Sequence, residues 1–225
     1  MSYQIAIDGP AGAGKSTIAK RLAKQLGFVY VDTGAMYRAI ALYFIRHGIP
    51  PEDEASILDG CGRMEISIAY EDGVQQVYLN GENVSSLIRA EEVGNMASAT
   101  SGYPAVRAKL LELQREVAAR ENVVMDGRDI GTCVLPDAQT KIYLTASTRT
   151  RAMRRYKELT DKGQECSLEE IEKDIADRDY RDAHREIAPL AQAEDAVFVD
   201  SSQMTIDQVI DTIVKAAQDR GLCGV

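Results

Sequence analysis

The residues best suited to chemistry lie near the start of the chain, in the run Gly9-Pro10-Ala11-Gly12-Ala13-Gly14-Lys15-Ser16. It fits the pattern GxxxxGK[ST], with an apolar run before it and a helical pattern after it. Glycines let the backbone wrap closely around phosphate oxygens and turn several N–H groups inward. A helix starting near Lys15 adds the positive end of its dipole. Lys15 is then expected to neutralise β- and γ-phosphates, and Ser16 to hold Mg2+. A flexible glycine linker would explain neither the lysine nor the flanking elements. Nucleoside triphosphate binding follows, but not yet a reaction. A guanine-reading NKxD motif is absent from the sequence, and the chain is short for a molecular motor, which leaves a small-molecule kinase as the common class.

Three further constellations suit a second, anionic ligand. Asp32-Thr33-Gly34-Ala35-Met36-Tyr37-Arg38 follows a strand pattern and opens a helix. Thr33 offers a hydroxyl, and Arg38 can grip a phosphate with two parallel bonds; the plainer reading makes Asp32 or Thr33 a helix cap and Arg38 a surface charge. Val123-Val124-Met125-Asp126-Gly127-Arg128-Asp129 repeats the design of a strand ending in a polar turn. There Asp126 could act on Mg2+ or its waters, Arg128 on an acceptor phosphate, and Asp129 on a base or amine. In the stretch from Arg178 to Arg185, a helical period puts Arg178, Arg181, Asp182 and Arg185 on one face. Three arginines on one stripe repel one another unless an anion lies between them.

The elements that must position these residues alternate. Strands are expected at 4–7, 28–31, 123–125, 141–144 and 196–199, and near-continuous apolar strands between helices imply a parallel sheet covered on both faces. Helices are expected at 15–26, 35–47 and 104–120, with a capping box from Ser167 to Glu170 opening another. In open α/β sheets ligands gather at the carboxyl ends of the strands, so the phosphate loop and the turns at 32–38 and 126–129 should face one crevice. Residues 65–84 break the pattern. They alternate, and they contain Asp72-Gly73 and Asn80-Gly81, which favour tight hairpins, so a small antiparallel insertion is expected.

Composition sets bounds. The 225 residues suffice for one domain with a small insertion. A net charge of −9 argues against a general nucleic-acid coat, though positive charge focused in a cleft can still hold a small phosphate compound. The sequence has no run of membrane-span length and no signal-peptide pattern, and Cys61, Cys133, Cys166 and Cys223 form no CxxC pair. Free thiols and a cytoplasmic location are expected.

Together these motifs resemble the bacterial cytidylate kinase family over nearly the whole chain. The resemblance rests on GPAGAGKS, DTGAMYR, the β insertion, the stretch 92–107, DGRDIGT and RDYRDAHRE followed by IAPL. The insertion is the more specific part, since adenylate kinases carry a helical acceptor-binding region there. The resemblance implies an α/β P-loop NTPase fold, with a five-stranded parallel sheet, helices on both faces and a helical lid. It implies one kinase domain over 1–225, an acceptor region over 35–105 and a lid over 148–186. Gly9 to Thr17 would bind ATP. Thr33, Arg38 and Arg128 would hold the CMP phosphate region, and Ser98, Arg107 and Asp129 would read the cytosine. Arg178 and Asp182 would contact the sugar, with Arg185 reaching the phosphates. Lys15, Arg128, Arg178 and Arg185 would be catalytic. The implied reaction is transfer of the ATP γ-phosphate to CMP or dCMP, with Mg2+, by a cytoplasmic monomer that needs neither nucleic acid nor membrane. A kinase for UMP or dTMP, or a nucleotide-binding switch, is the alternative.

Overall fold

The computed structural model describes residues 2–223. The expected domain bounds, 1–225, run past these at both ends. Five strands form one parallel sheet: β1 (Gln4–Asp8), β2 (Val29–Asp32), β6 (Val123–Asp126), β7 (Thr140–Thr145) and β8 (Val197–Asp200), in the order β2-β6-β1-β7-β8. β2 and β8 each run one residue later than expected, ending on the aspartates Asp32 and Asp200. Successive side chains of β1 serve opposite faces, as a doubly covered sheet requires. Ile5 and Ile7 join a core with α1 (Lys15–Leu26) and α8 (Ile206–Gln218), through Ile18, Leu22 and Ile213. Ala6 joins Val31, Val123 and Met125 on the other face, under Ala118 and Val117 of α5 (Pro104–Arg120).

The helix ends follow local chemistry. Gly27, at φ 67°, ends α1 and returns its N–H to the Ala23 carbonyl. α2 (Thr33–Arg46) starts two residues earlier than expected, because the Asp32 carboxylate caps it by accepting the Ala35 N–H at 2.9 Å. The expected capping box at Ser167 forms only by half. Ser167 caps α7 (Leu168–His184) by accepting the Glu170 N–H, while its hydroxyl turns to Glu169.

The insertion is a separate three-stranded antiparallel sheet, β3 (Ile66–Glu71), β4 (Val74–Leu79) and β5 (Glu82–Asn83). Both of its turns are two-residue hairpins with both residues at positive φ: Asp72 and Gly73, then Asn80 and Gly81. Val77 and Leu79 bury against Phe44 and Ile40 of α2. Around this core lie α3 (Glu54–Arg63) and α4 (Glu91–Thr100). α6 (Thr148–Asp161) packs on α7 over the carboxyl end of the sheet. Among the described residues no helix is long and apolar enough to cross a membrane.

Candidate active site

The register of the sheet brings three aspartates to its carboxyl edge. Asp126 lies between neighbours, opposite Asp32 on β2 and Ile7 on β1, and Asp8 ends β1. Asp8 is structural. Its two oxygens accept the Ile130 and Gly131 N–H groups at 2.8 and 2.7 Å, which tethers the turn after β6. Burial pushes its carboxyl up to about 6 against the pull of those two donors.

The phosphate loop spans the gap between β1 and α1. Gly9 has φ 148°, and a Cβ there would lie 1.9 Å from the Leu144 carbonyl oxygen, so only glycine fits. Ala11 through Thr17 line the crevice; Gly9 and Pro10, expected with them, are not among its lining residues. Gly14, at φ 87°, precedes α1 without any side-chain cap, leaving the first N–H groups of the helix free for an anion. Lys15 is buried and donates to the Pro10 carbonyl at 2.7 Å. Burial, and then the Arg128 charge, hold its ammonium well below the usual lysine range.

Beside it, Ser16 donates to Asp126 Oδ2 at 2.9 Å and Tyr30 donates to Asp126 Oδ1 at 2.8 Å. Burial, and then the Asp32 charge, push the Asp126 carboxyl up to about 6. A hydroxyl and a buried carboxylate next to a phosphate cradle form the hard oxygen set that a small divalent cation takes together with nucleotide phosphates and waters.

The crevice has a volume of about 540 Å³ and is lined by Thr33, Arg38, Ser98, Arg107, Arg128, Asp129, Arg178, Asp182 and Arg185, all expected on the acceptor side, but not by Arg181. Two ion-pair groups organise it. Asp129 is shared by Arg107 and Arg185, while Arg128 Nε donates to Asp182 Oδ2 at 2.9 Å. Arg38 and Arg178, by contrast, have no hydrogen-bonding partner among the described residues, and Arg178 Nε is buried. The Ser98 hydroxyl is likewise buried and without a partner. The Arg38 guanidinium packs close to Gly34 and Gly94, 3.6 and 3.8 Å from where their Cβ atoms would stand. Burial, and then Arg128, bring Arg178 down to about 10. Buried donors without acceptors, here Arg178 Nε and the Ser98 hydroxyl, are rare in folded proteins, and each asks for a ligand or an ordered water. Arg178, with the half-buried Arg38 on the same crevice, marks where an anion fits.

Two expectations change. Arg181 turns away from the crevice to the Asp177 carbonyl and is exposed, so the arginine stripe is Arg178 and Arg185 flanking Asp182. Thr33 donates its hydroxyl proton to the Asp126 carbonyl at 2.7 Å, so toward a phosphate it must exchange that bond.

The sequence reading missed a cluster on α6. Arg151 is almost wholly buried and donates to the carbonyls of Ala146 and Ala11 at 2.8 and 2.7 Å. It also pairs with Asp179 on α7 at 2.6 Å, and Asp179 in turn accepts the Ala11 N–H at 3.3 Å. The tip of the phosphate loop is thus held through both main-chain polar groups of one residue, Ala11. Arg154 and Arg155 line the same crevice. Their spacing from Arg151, three and four residues, was the available signal.

The cytidylate kinase family model matches residues 5–219. A cytidylate kinase from Lactobacillus gasseri is 49% identical over 217 residues, which cover 96% of this chain and 94% of that protein. One from Ligilactobacillus salivarius is 48% identical over 217 residues, covering 96% and 97%. A crystal structure of an uncharacterized protein from Eubacterium ventriosum superposes with a TM-score of 0.52 at 13% identity, covering 95% of this chain and 97% of that one. That likeness shows the fold alone. With a family match running from β1 to the end of α8 across the whole crevice, the chain belongs to the cytidylate kinase family and is an enzyme of the nucleoside monophosphate kinase class.

Proposed function

We propose that the enzyme transfers the γ-phosphate of ATP to CMP, and to dCMP, giving the diphosphate and ADP. The observation that carries this reading is the pair of unpartnered guanidinium groups, Arg38 and Arg178, on the same crevice as the phosphate loop. One anion in the loop would leave them unused; a second, facing it, engages both. ATP would lie along Ala11 to Thr17 and CMP between Arg38, Arg128 and Arg178. Ser16 and Asp126 would hold Mg2+, which supplies charge neutralisation on the triphosphate. The acceptor oxygen of CMP is already anionic, so in-line attack needs no general base, and catalysis reduces to positioning and charge stabilisation.

Bringing the two anions together is the main cost. Unit charges 4 Å apart repel by about 4 kcal/mol at an effective dielectric near 20. Lys15, Arg38, Arg128, Arg178 and Arg185 offset that repulsion. Residues 148–186 would serve as the lid, and Arg151 with Asp179 supports this reading by docking both of its helices on the loop.

For the base, the unpartnered Ser98 hydroxyl and the Arg107–Asp129 pair are the candidates. A carboxylate has about four acceptor sites. Asp129 can therefore keep both arginines and still accept the cytosine amine. Uracil would present an oxygen there, leaving acceptor against acceptor.

The test is an acceptor panel with ATP and Mg2+, reading ADP release with CMP, dCMP, UMP and dTMP. CMP and dCMP are expected to lead UMP by at least tenfold in kcat/KM. Preference for UMP or dTMP would overturn the base assignment, and nucleotide binding without turnover of any acceptor would overturn the reaction.

A further inference from the structure

We propose that Gln75 is a positioning residue for the acceptor nucleotide, its carboxamide fixing the Asp32 main chain from which the acceptor side of α2 is built. β2 is an edge strand of the parallel sheet. Its inner side pairs with β6, and its outer side has no strand partner among the described residues. An exposed row of backbone N–H and C=O groups is a liability that folds usually cover. Here side chains of the β insertion cover it. Tyr70 donates to the Tyr30 carbonyl at 3.2 Å. One alternation further on, Gln75 Oε1 accepts the Asp32 N–H at 2.9 Å, and Gln75 Nε2 donates to the Asp32 carbonyl at 3.2 Å. A single side-chain amide thus presents the donor and acceptor that a neighbouring strand residue would.

Asp32 is where this matters for function. Its carboxylate caps α2 through the Ala35 N–H and receives Arg89 at 3.3 Å. The residues that follow it are Thr33 and, roughly one and a half turns on, Arg38. Thr33 also bonds back to the Asp126 carbonyl, so the orientation of the Asp32 peptide decides both the start of α2 and the approach to β6. Among the described residues Arg38 has no side-chain hydrogen bond of its own to hold it. Its placement therefore depends on the backbone that carries it. The insertion, remote in sequence from the crevice, reaches the acceptor turn through this amide; Gln75 does not line the crevice and touches it only through the main chain of Asp32, which does.

A purely structural role would loosen the whole fold; a positioning role is selective between the two substrates. The inference rests on the reading of α2 as the acceptor side. Steady-state kinetics of the full chain with ATP and CMP separate these cases. Gln75→Met keeps the length and makes neither bond. Gln75→Glu, at pH 8, can accept the Asp32 N–H but cannot donate to its carbonyl, and it sets a second carboxylate beside Asp32. In both, the KM for CMP is expected to rise about fivefold to tenfold, as loss of one or two hydrogen bonds implies. The KM for ATP and kcat should stay within twofold, because only uniform binding of the acceptor is lost. Should Gln75→Met not fold, Gln75→Asn, which keeps the carboxamide but falls one methylene short, is read by the same criteria. A CMP KM within twofold of the parent's would overturn the proposal, as would parallel changes in both KM values and kcat. A parent chain that releases no ADP with CMP would instead sink the acceptor reading beneath it.

Discussion

Asp8 shows how a single buried group couples the site to pH. Its carboxyl is raised from 3.8 to about 6 because burial outweighs two backbone donors. For a carboxyl raised on folding, the folded chain keeps a proton that the unfolded chain has released. Its contribution therefore favours folding below pH 4 and is lost as pH climbs toward 6, by about 3 kcal/mol for a two-unit shift. Asp8→Asn removes that titration while leaving a carboxamide whose NH2 faces a backbone N–H. Urea unfolding of parent and variant at pH 4.5 and pH 7 should show the parent's advantage shrinking, or reversing, at the higher pH. A gap independent of pH would mean that Asp8 ionises in the folded chain much as it does unfolded. No pattern in the sequence marked Asp8 for this role; its partners Ile130 and Gly131 lie more than a hundred residues away. The arginines and Lys15 were legible because their spacing implied an anion. Arg151 was not, since a basic helix start looks like a solvated face until the fold buries it against Ala11.

At the scale of elements, the sequence was most readable where one residue type admits one conformation. Asp72-Gly73 and Asn80-Gly81 foretold both hairpins, and Gly27 foretold the end of α1. Strand ends shifted by a residue at β2 and β8, because the apolar pattern stops before the aspartates that complete each ladder. The docking of the insertion on β2 could not be read at all: it depends on Tyr70 and Gln75 meeting backbone groups of a distant strand. Two glycines make the element-level argument testable. Gly9→Ala forces a Cβ into the Leu144 carbonyl of a neighbouring strand, at a strained φ, and should cost on the order of 3 kcal/mol. Gly62→Ala, inside α3 with nothing within 4 Å, should stabilise by roughly 0.5 to 1 kcal/mol through helix propensity. Urea midpoints moving in opposite directions check both; equal shifts would deny the close approach of Gly9 to β7.

At the scale of the molecule, three bodies meet at one crevice: the sheet with its phosphate loop, the α2–insertion core, and the α6–α7 pair. The third body is joined to the first by a buried clasp, with Ala11 N–H on Asp179, Ala11 C=O on Arg151, and the two side chains paired at 2.6 Å. α7 carries Arg178 one residue before Asp179, so the clasp and an unpartnered crevice arginine move together. Asp179→Asn keeps an acceptor for Ala11 but leaves the nearly fully buried Arg151 guanidinium without its carboxylate. Breaking such a pair from one side typically costs about 3 to 5 kcal/mol, and the side chain of Asp179, 22% exposed, puts this case at or below the lower end. The cheapest relief is for α6 and α7 to lift from the loop and admit water. Water then competes with the acceptor for the γ-phosphate, because a closed site normally excludes it. ADP release without acceptor, divided by ADP release with saturating CMP, should therefore rise about tenfold in Asp179→Asn, mostly through slower transfer. An unchanged ratio, in a variant that still folds, would mean that the clasp fastens the helices without governing the entry of water.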